Sequence, residues 1–166
     1  MKRITFCLAL ILGIVVTSKA QIHVELGPSF QSPSGDFGEV YDFGVGFSLE
    51  PRITFDKLGV GLYGAALGFA GGNVAGTNVA AMTMTPILAT GTYKLVKAPI
   101  SPYVGIGAGV YSYDFASSAG VASQSDFGFM ARGGVFLSRF NLGVAYHNAG
   151  DATFISFGLG TRIGPW

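Results

Sequence analysis

One stretch near the middle of the chain restricts its fold more than any other: residues 103–113, Tyr-Val-Gly-Ile-Gly-Ala-Gly-Val-Tyr-Ser-Tyr. The even positions carry four aliphatic residues and then Ser112. The odd positions between them carry glycines and tyrosines. A two-residue period is that of a β-strand. The glycine face is too small to fill a thick core and too apolar to be an ordinary solvated surface. The pattern therefore favours a narrow transmembrane β-barrel, with aliphatic side chains facing lipid and small ones facing the lumen.

The beginning of the chain has the pattern of an export signal. Two basic residues precede an apolar run that is too short to span a bilayer as a helix, and a Ser-Lys-Ala site follows it. We predict a cleavable signal peptide over residues 1–20, with cleavage between Ala20 and Gln21, and an outer-membrane barrel over residues 21–166. Cleavage would remove Cys7, the only cysteine, so neither a disulfide nor a thiolate metal site is expected.

The low charge content limits the class of protein. Charged residues are 11% of the chain and apolar residues 49%, whereas an ordinary soluble domain has about 25% charged residues. After residue 20 no apolar run reaches the length of a spanning helix, which leaves a β-barrel as the membrane structure that pairs every backbone group. The predicted mature chain has 7 basic and 9 acidic residues, a net charge of 7 − 9 = −2. No basic patch is present, so nucleic acid is not an expected partner.

The predicted mature chain divides into eight alternating segments separated by turn-forming residues. The predicted strands lie near 22–30, 41–50, 57–69, 79–95, 102–115, 126–137, 140–146 and 153–163. The longer loops are expected near 31–40, 71–78, 116–125 and 147–152, with short turns between them. We therefore predict an all-β, eight-stranded antiparallel up-and-down transmembrane β-barrel with both termini at the periplasmic end. Pro86 cannot donate to a ladder, so we expect either a bulge there or a strand that reaches above the membrane.

Aromatic residues near the strand ends suggest the two girdles that membrane barrels carry. The expected outer girdle comprises Tyr41, Phe43, Phe69, Phe115, Phe127 and Phe154, and the expected inner girdle comprises Tyr93, Tyr103, Phe140 and Trp166.

Three segments together, 102–109, 127–137 and 154–166, resemble small outer-membrane β-barrel proteins of Gram-negative bacteria. The similarity is to the OmpX and OmpW types, the OmpA transmembrane domain and related Bacteroidota barrels, and it is a pattern of strands that covers the predicted mature chain. The resemblance implies location in the cell outer membrane. It also implies an aromatic terminal residue recognised by the barrel assembly machinery, and Trp166 matches that assembly signal.

Four charged residues are predicted to face the lumen in its periplasmic half: Glu25, Glu50, Arg132 and Arg162. A charge on the lipid face costs about 2–4 kcal/mol for Arg at mid-bilayer, so the inward position is favoured. Two acids and two arginines can neutralise one another, and we expect Glu25 to pair with Arg162. The expected result is a plugged lumen, with an ion or proton relay as the alternative interpretation.

The remaining charges divide between the two predicted rims. Acids lie in the outer loops, at Asp36, Glu39, Asp42, Asp114, Asp126 and Asp151, and bases lie at the periplasmic turns, at Arg52, Lys57, Lys94, Lys97 and Arg139. The expected partners are therefore outer-membrane lipids, through the basic turns, and lipopolysaccharide, through divalent cations held by acidic loops. A further envelope protein remains an open alternative.

No group of residues indicates catalysis, a cofactor or a metal. Residues 59–64 match the text of a dinucleotide-binding motif but lie inside an alternating segment rather than before a helix. His23 and His147 fall at opposite ends of the predicted barrel and cannot share a metal. The stretch 147–150 faintly resembles outer-membrane lipid A deacylases, which use a serine and a histidine, but no serine follows His147. We expect an ordinary loop with a histidine at the rim.

The expected function is a structural or interaction role in the cell envelope, or that of an accessory subunit in an envelope complex. The main alternative is a narrow transport barrel for small or apolar solutes, and a lipid-modifying enzyme is a third class. A soluble lipocalin-like binder would need the reverse pattern, with apolar residues inside the barrel.

Overall fold

The computed structural model describes residues 20–74, 76–117 and 120–164. Its elements in chain order are β1 Gln21–Ser34, α1 Asp36–Val40, β2 Tyr41–Phe55, β3 Leu58–Gly71, β4 Asn73–Val74, β5 Thr77–Asn78, β6 Met82–Lys94, β7 Ile100–Ser117, β8 Gly120–Leu137, β9 Phe140–Ala149 and β10 Ala152–Ile163. The short β4 and β5 form a hairpin of their own, and the other eight strands form one closed barrel.

The barrel has the simplest antiparallel order. Each strand pairs with the next barrel strand in the chain, and β1 closes the sheet by pairing with β10. The closing ladder is in register from Val24 opposite Ile163 to Ser34 opposite Thr153. Closure pairs every strand on both sides, which removes the exposed edges that an open sheet leaves. The predicted fold class, an eight-stranded up-and-down antiparallel barrel, is confirmed.

The two ends of the barrel differ in their connections. One end, called here the turn end, contains the start of β1 and the end of β10. It also contains the connections 56–57, 95–99 and 138–139. At the opposite end, called the loop end, lie α1, the β4–β5 hairpin and the turn at 150–151. The positive φ angles of Asp56 and Ser138, 58° and 55°, are those of tight two-residue turns.

Side chains alternate between the lumen and the outer surface. In β6 the pattern is strict: Met82, Met84 and Leu88 are buried inside the barrel, whereas Ile87 and Tyr93 are exposed outside it. Many large apolar side chains are exposed on the outer surface, with Phe127 74% and Ile106 70% accessible. The barrel therefore has an apolar exterior and an interior that mixes aromatic, polar and charged groups.

Several strands are longer than the sequence pattern predicted. β1 continues to Ser34, β7 and β8 extend through most of the expected loop 116–125, and β9 continues to Ala149. The expected break at 51–56 is also wrong, because β2 runs through Pro51 to Phe55. Ladder pairing with two neighbours outweighs the turn propensity of Ser, Asn, Gly and Pro in these stretches.

The strand prolines are accommodated without bulges. Pro51 pairs with Val24 in the β1–β2 ladder, and Pro86 pairs with Tyr111 in an unbroken β6–β7 register. On the opposite side, the β2–β3 and β3–β6 ladders have no pair at the proline or at the residue just before it. The register is the same on both sides of each gap. Each proline therefore lies where one of its two neighbouring strands makes no bridge, so no ladder bond is lost for want of an N–H. The bulge predicted at Pro86 does not form.

The girdle prediction is only partly correct. Phe43, Phe127, Tyr93 and Phe140 are exposed on the outer surface near the two ends. Tyr41, Phe69, Phe154 and Tyr103 are instead buried inside the barrel, and Phe115 is partly buried against them. The proximity of a residue to a strand end does not determine the face on which it lies, whereas its parity along the strand does.

Two of the sequence predictions fall on parts of the chain that the structure does not describe. Residues 1–19 of the predicted signal peptide and the predicted assembly signal Trp166 lie outside the described ranges. At the predicted cleavage site, Ala20 precedes the first strand and Gln21 begins it.

None of the helices in the described ranges has the length and apolarity needed to cross a membrane.

Close strand approach predicts a stability difference between two glycines on neighbouring strands. A Cβ at Gly109 would lie 2.9 Å from Leu88 Cα and would clash with the carbonyl oxygen of Ile87, whereas a Cβ at Gly91 would have no heavy atom within 4 Å. We expect Gly109→Ala to lower the urea midpoint of the refolded barrel clearly and Gly91→Ala to leave it unchanged or higher. Equal midpoints for the two variants would contradict this interpretation.

Candidate functional site in the barrel lumen

The centre of the lumen is occupied by a carboxylate held between two arginines. Glu50 is 3% accessible, and Arg132 binds it in a bidentate way, with Nη1 2.6 Å from Oε2 and Nη2 2.8 Å from Oε1. Arg52 approaches the same carboxylate, with Nη2 2.9 Å from Oε2. The hydroxyl of Thr90 donates to Oε1 at 2.6 Å. Planar paired contacts of this kind are the strongest that a carboxylate makes with side chains.

The network continues to a second acid, on the neighbouring strand β1. Arg52 Nη1 lies 3.3 Å from Glu25 Oε2, and the side-chain amide of Asn141 donates to Glu25 Oε1. Arg132 Nη2 also donates to Thr92 Oγ1 at 2.7 Å. We call Glu25, Glu50, Arg52 and Arg132 the charge cluster; its members come from β1, β2 and β8.

Glycines on the inner face provide the space that the charge cluster fills. A Cβ at Gly61 would lie 2.8 Å from Glu50 Oε1, and one at Gly105 would lie 3.1 Å from Arg132 Nε. A Cβ at Gly160 would lie 3.2 Å from Glu25 Oε1. The glycine face that is prominent in the sequence is therefore the counterpart of a few large charged side chains, because an eight-stranded barrel is only wide enough for its side chains.

Below the charge cluster, at the turn end, three cations surround one aromatic ring. The ring of Phe136 has Arg162 Cζ 4.3 Å from its centroid, with Arg52 Cζ and Lys94 Nζ each at 5.6 Å. Tyr103 stacks on the same ring at 4.4 Å. Cations over an aromatic face are attracted by its quadrupole, and the interaction strengthens when water is excluded.

The structure changes the predicted pairing of the four lumen charges. Glu25 and Arg162 are opposite each other in the closing ladder, yet the contacts of Glu25 are with Arg52 and Asn141, and Arg162 stacks on Phe136. Arg162 Nε and Nη2 are buried without a hydrogen-bond partner among the described residues. Glu50 and Arg132, which were also predicted to face inward, form the closest pair.

Sequence reasoning missed Arg52, which it assigned to a periplasmic turn. Arg52 is 3% accessible and lies inside the barrel. The signal was present, because Arg52 is two positions beyond the inward-facing Glu50 and a continuous strand would place both on one face. Interpreting Pro51 as the end of the strand interrupted that parity.

A second polar group lies above the charge cluster, toward the loop end, and contains His147. This residue was expected in a loop at the rim, but β9 includes it, and it is 1% accessible inside the lumen. Its Nδ1 is 2.9 Å from Tyr111 Oη and its Nε2 is 3.0 Å from Ser156 Oγ. The ring of Phe154 stacks on it at 4.4 Å. We call Tyr111, His147, Phe154 and Ser156 the histidine tier.

The contact between His147 and Ser156 has the distance of a nucleophile and its base, but not the surroundings of one. Ser156 is also buried, and the rings of Tyr111 and Phe154 pack against His147. A substrate would reach this pair only by passing the charge cluster from the turn end or Phe69 and Phe154 from the loop end. The ring centroids of these two residues are 5.4 Å apart. This geometry suits a satisfied buried histidine better than an accessible catalytic pair.

Between the charge cluster and the histidine tier a cavity of about 70 Å³ remains. Tyr63, Arg132, Asn141 and His147 are among the residues that line it. Arg132 Nε and Asn141 Oδ1 are buried without a hydrogen-bond partner in the described ranges. A polar cavity of this size has room for ordered water molecules that could bind these two atoms.

Within the described ranges no three His, Cys, Asp or Glu side chains are placed to hold a metal ion. The glycine-rich stretch 59–64, which matched a dinucleotide-binding text pattern, lies inside β3. His23 is at the turn end of β1 and His147 toward the loop end of β9, so the two histidines remain far apart in the barrel.

The charge cluster predicts a specific pattern of coupling. Glu50→Ala leaves the buried charge of Arg132 without its carboxylate and leaves Arg52 with Glu25 alone, so we expect it to destabilise the refolded barrel by about 3–5 kcal/mol. Glu50→Ala combined with Arg132→Ala should cost less than the sum of the two single changes. Urea unfolding in a double-mutant cycle measures both quantities.

The exposed pair Lys97–Asp56 at a turn supplies the matched control, since its removal should change stability by less than about 1 kcal/mol. Additive effects of Glu50→Ala and Arg132→Ala would show that the bidentate contact does not contribute.

Comparisons with known proteins agree with the fold. Neither the protein-family models nor the curated proteins give a match to this chain. Among solved structures, the chain is similar to Neisserial surface protein A, with a TM-score of 0.65 and 13% identity over 87% of this chain and 97% of that one. It is also similar to the outer membrane protein OprG from Pseudomonas aeruginosa, with a TM-score of 0.61 and 15% identity over 89% of this chain and 98% of that one.

A third similar structure is Ail, the attachment invasion locus protein of Yersinia pestis, in complex with the heparin analogue sucrose octasulfate. Its TM-score is 0.55, with 20% identity over 87% of this chain and 99% of that one. In each pair the match covers nearly the whole solved chain, so the likeness concerns the complete barrel. The chain therefore has the fold of small eight-stranded outer-membrane barrel proteins.

Proposed function

We propose that this protein is an integral barrel of the bacterial outer membrane with a plugged lumen, and that its role in the envelope is structural or interactive. The observation that carries the proposal is the charge cluster, in which Glu50, Arg52 and Arg132 join opposite walls of the barrel through side-chain contacts. The histidine tier lies above it as a second layer. Two layers in series leave no space for a continuous water column in a barrel of this width.

The apolar exterior supports the membrane location. Exposed aliphatic and aromatic side chains occur on all eight barrel strands, for example Val45, Val60, Ile106, Phe129 and Leu159. Soluble monomers rarely expose apolar patches larger than a few hundred Å², and a continuous belt of this kind is typical of a surface in contact with lipid. The similarity to solved outer-membrane proteins supports the same conclusion.

The proposed partners follow from the two ends. In this proposal the exported chain is folded by the barrel assembly machinery with Trp166 as the signal, and the turn end faces the periplasm. Basic groups at that end, such as Lys57 and Lys97, suit anionic phospholipid heads. Among the described residues the loop end carries exposed acids, such as Glu39, Asp42 and Asp114, and no Lys or Arg, which suits lipopolysaccharide through divalent cations. The same acidity disfavours transfer of the sucrose octasulfate site of Ail to this chain.

We also propose that the protein is not an enzyme and holds no cofactor. The main alternative remains a narrow transport barrel for small or apolar solutes, which the cavity between the two lumen layers favours. In that case the cavity would be an intermediate binding position for the solute, and movement of Tyr63 or Arg132 would open the path through the lumen.

The membrane proposal predicts the behaviour of the protein in cells. It should fractionate with the outer membrane and migrate faster on a denaturing gel when it is not boiled, because a closed barrel resists detergent and stays compact. A boiled sample and a variant with proline at the inward position Thr90, which breaks a ladder, serve as unfolded references. Recovery of the native protein from the soluble periplasmic fraction would contradict the proposal.

The plugged lumen predicts that the barrel does not conduct ions. Purified barrel that is folded by the gel criterion should give no steady conductance steps in planar bilayers. A variant that truncates both layers, Arg132→Ala with Tyr111→Ala and Phe154→Ala, should conduct if it folds, whereas truncation of the outward-facing Ile106 and Phe129 should not. Reproducible steps from the unchanged protein, abolished by a bulky substitution at Gly107, would favour transport instead.

A further inference from the structure

The loop end contains a cavity that the plugged lumen does not use. Its volume is about 360 Å³, and it is open toward the surroundings of the barrel. The lining residues come from α1, β2, β6, β7, β8 and the β9–β10 turn, so the walls follow the barrel mouth around much of its circumference. We call it the mouth cavity. Volumes from about 300 Å³ are typical of sites for small molecules.

Aromatic side chains form the interior of the mouth cavity. Phe37 and Tyr41 contribute one pair of rings, with centroids 4.9 Å apart, and Tyr113 and Phe115 contribute a second pair at 6.3 Å. Met82 lies in the same lining and is 1% accessible. One ring of each pair is held from behind: Phe37 packs edge-on against Phe69 at 5.2 Å, and the Tyr113 hydroxyl donates to the carbonyl of Ala149 at 2.8 Å. These side chains are therefore ordered by packing before any ligand arrives.

The entrance to the mouth cavity is acidic. Asp36, Asp126 and Asp151 belong to its lining and come from three separate parts of the chain. The Lys and Arg residues of the described ranges all lie in the turn-end half of the barrel, at positions 52, 57, 94, 97, 132, 139 and 162. Among the residues that the structure describes, no Lys or Arg is therefore available to neutralise the entrance, and its negative potential acts on any ligand that enters.

We propose that the mouth cavity binds a small organic cation, an ammonium or guanidinium group carried on an aromatic or hydrocarbon body. The carboxylates match its charge, and the faces of the aromatic rings attract a cation while they bury its apolar part. A divalent metal ion fits less well, because it needs several oxygen ligands that converge at 2.0–2.6 Å. The three acids are instead dispersed around the entrance, and they are not among any group placed to hold a metal in the described ranges.

The floor of the mouth cavity makes it a binding site rather than the entrance to a channel. Phe69 and Phe154 pack edge-on at 5.4 Å directly below Phe37, which is 6.4 Å from Phe154. Binding from the loop end requires neither a membrane potential nor passage through the lumen. The inference goes beyond the proposed plug and does not depend on it, because a ligand can bind here whether or not solutes pass below.

Three probes with one ring and different head groups test the proposal. Phenethylammonium, 2-phenylethanol and phenylacetate are titrated calorimetrically into folded barrel in non-ionic micelles at pH 7, with empty micelles as the blank. We expect saturable binding of phenethylammonium, binding at least about tenfold weaker for the alcohol, and none for the carboxylate. Putrescine, which has charge without a ring, should bind more weakly than phenethylammonium.

Variants assign the binding to the mouth cavity. Asp126→Asn and Asp151→Asn should each weaken phenethylammonium binding about fivefold, and Phe37→Ala should weaken phenethylammonium and 2-phenylethanol alike. Asp114→Asn is the matched control: this acid is exposed at the same end, accepts a hydrogen bond from Ser123 at 2.6 Å, and lies outside the lining. The control should bind as the unchanged protein does. Gel mobility of unboiled samples shows that each variant is folded.

Three results would overturn the proposal while leaving the membrane barrel intact. The first is equal binding of the three ring probes, which would indicate nonspecific partition into the micelle or the apolar exterior of the barrel. The second is phenethylammonium binding that is unaffected by Asp126→Asn and Asp151→Asn. The third is saturable Ca²⁺ binding that depends on these two acids together with no phenethylammonium binding, which would assign the acids to a metal.

Discussion

The space inside a closed eight-stranded barrel is the constraint on which the rest of this structure depends. The wall leaves room for about one layer of side chains, so each large residue that points inward needs small ones beside it. Gly61, Gly105 and Gly160 stand where a Cβ would meet Glu50, Arg132 or Glu25. Glycine and charge on the inner face are thus two parts of one packing solution.

The charge cluster follows from the same constraint together with the apolar exterior. In the proposed membrane location, an arginine that pointed outward in the middle of the wall would meet lipid, so these strands carry charge at low cost in the lumen. Once inside, each charge must be paired, because an unpaired buried ion is costly. Glu50 satisfies two arginines and a threonine at once, and Arg52 extends the network to Glu25. The pair of Glu50 and Arg132 connects β2 with β8, which lie on opposite sides of the closed sheet.

The two ends of the barrel have opposite electrostatic character. The turn end combines Arg52, Lys94 and Arg162 around Phe136, whereas the loop end has acids above an aromatic floor. Such a separation gives the molecule a dipole along its axis, and the proposed partners of the two ends follow its sign. An anionic lipid surface suits the turn end in this arrangement, and a small cation suits the loop end.

The sequence by itself determined the fold class, the number of barrel strands and the inward direction of Glu25, Glu50 and Arg132. It could do so because the two-residue alternation is local, and because consecutive strands of an up-and-down barrel pair with each other. Only the tertiary structure decided which lumen groups meet. Glu50 and Arg132 are 82 residues apart, and Tyr111 and His147 are 36 apart. Contacts across a lumen depend on register, strand tilt and the depth of each residue, and none of these is encoded in a single strand. Pro51 and the Asn-Ala-Gly stretch after His147 suggested breaks that the paired ladders override, which is why Arg52 and His147 became lumen residues only in the folded barrel.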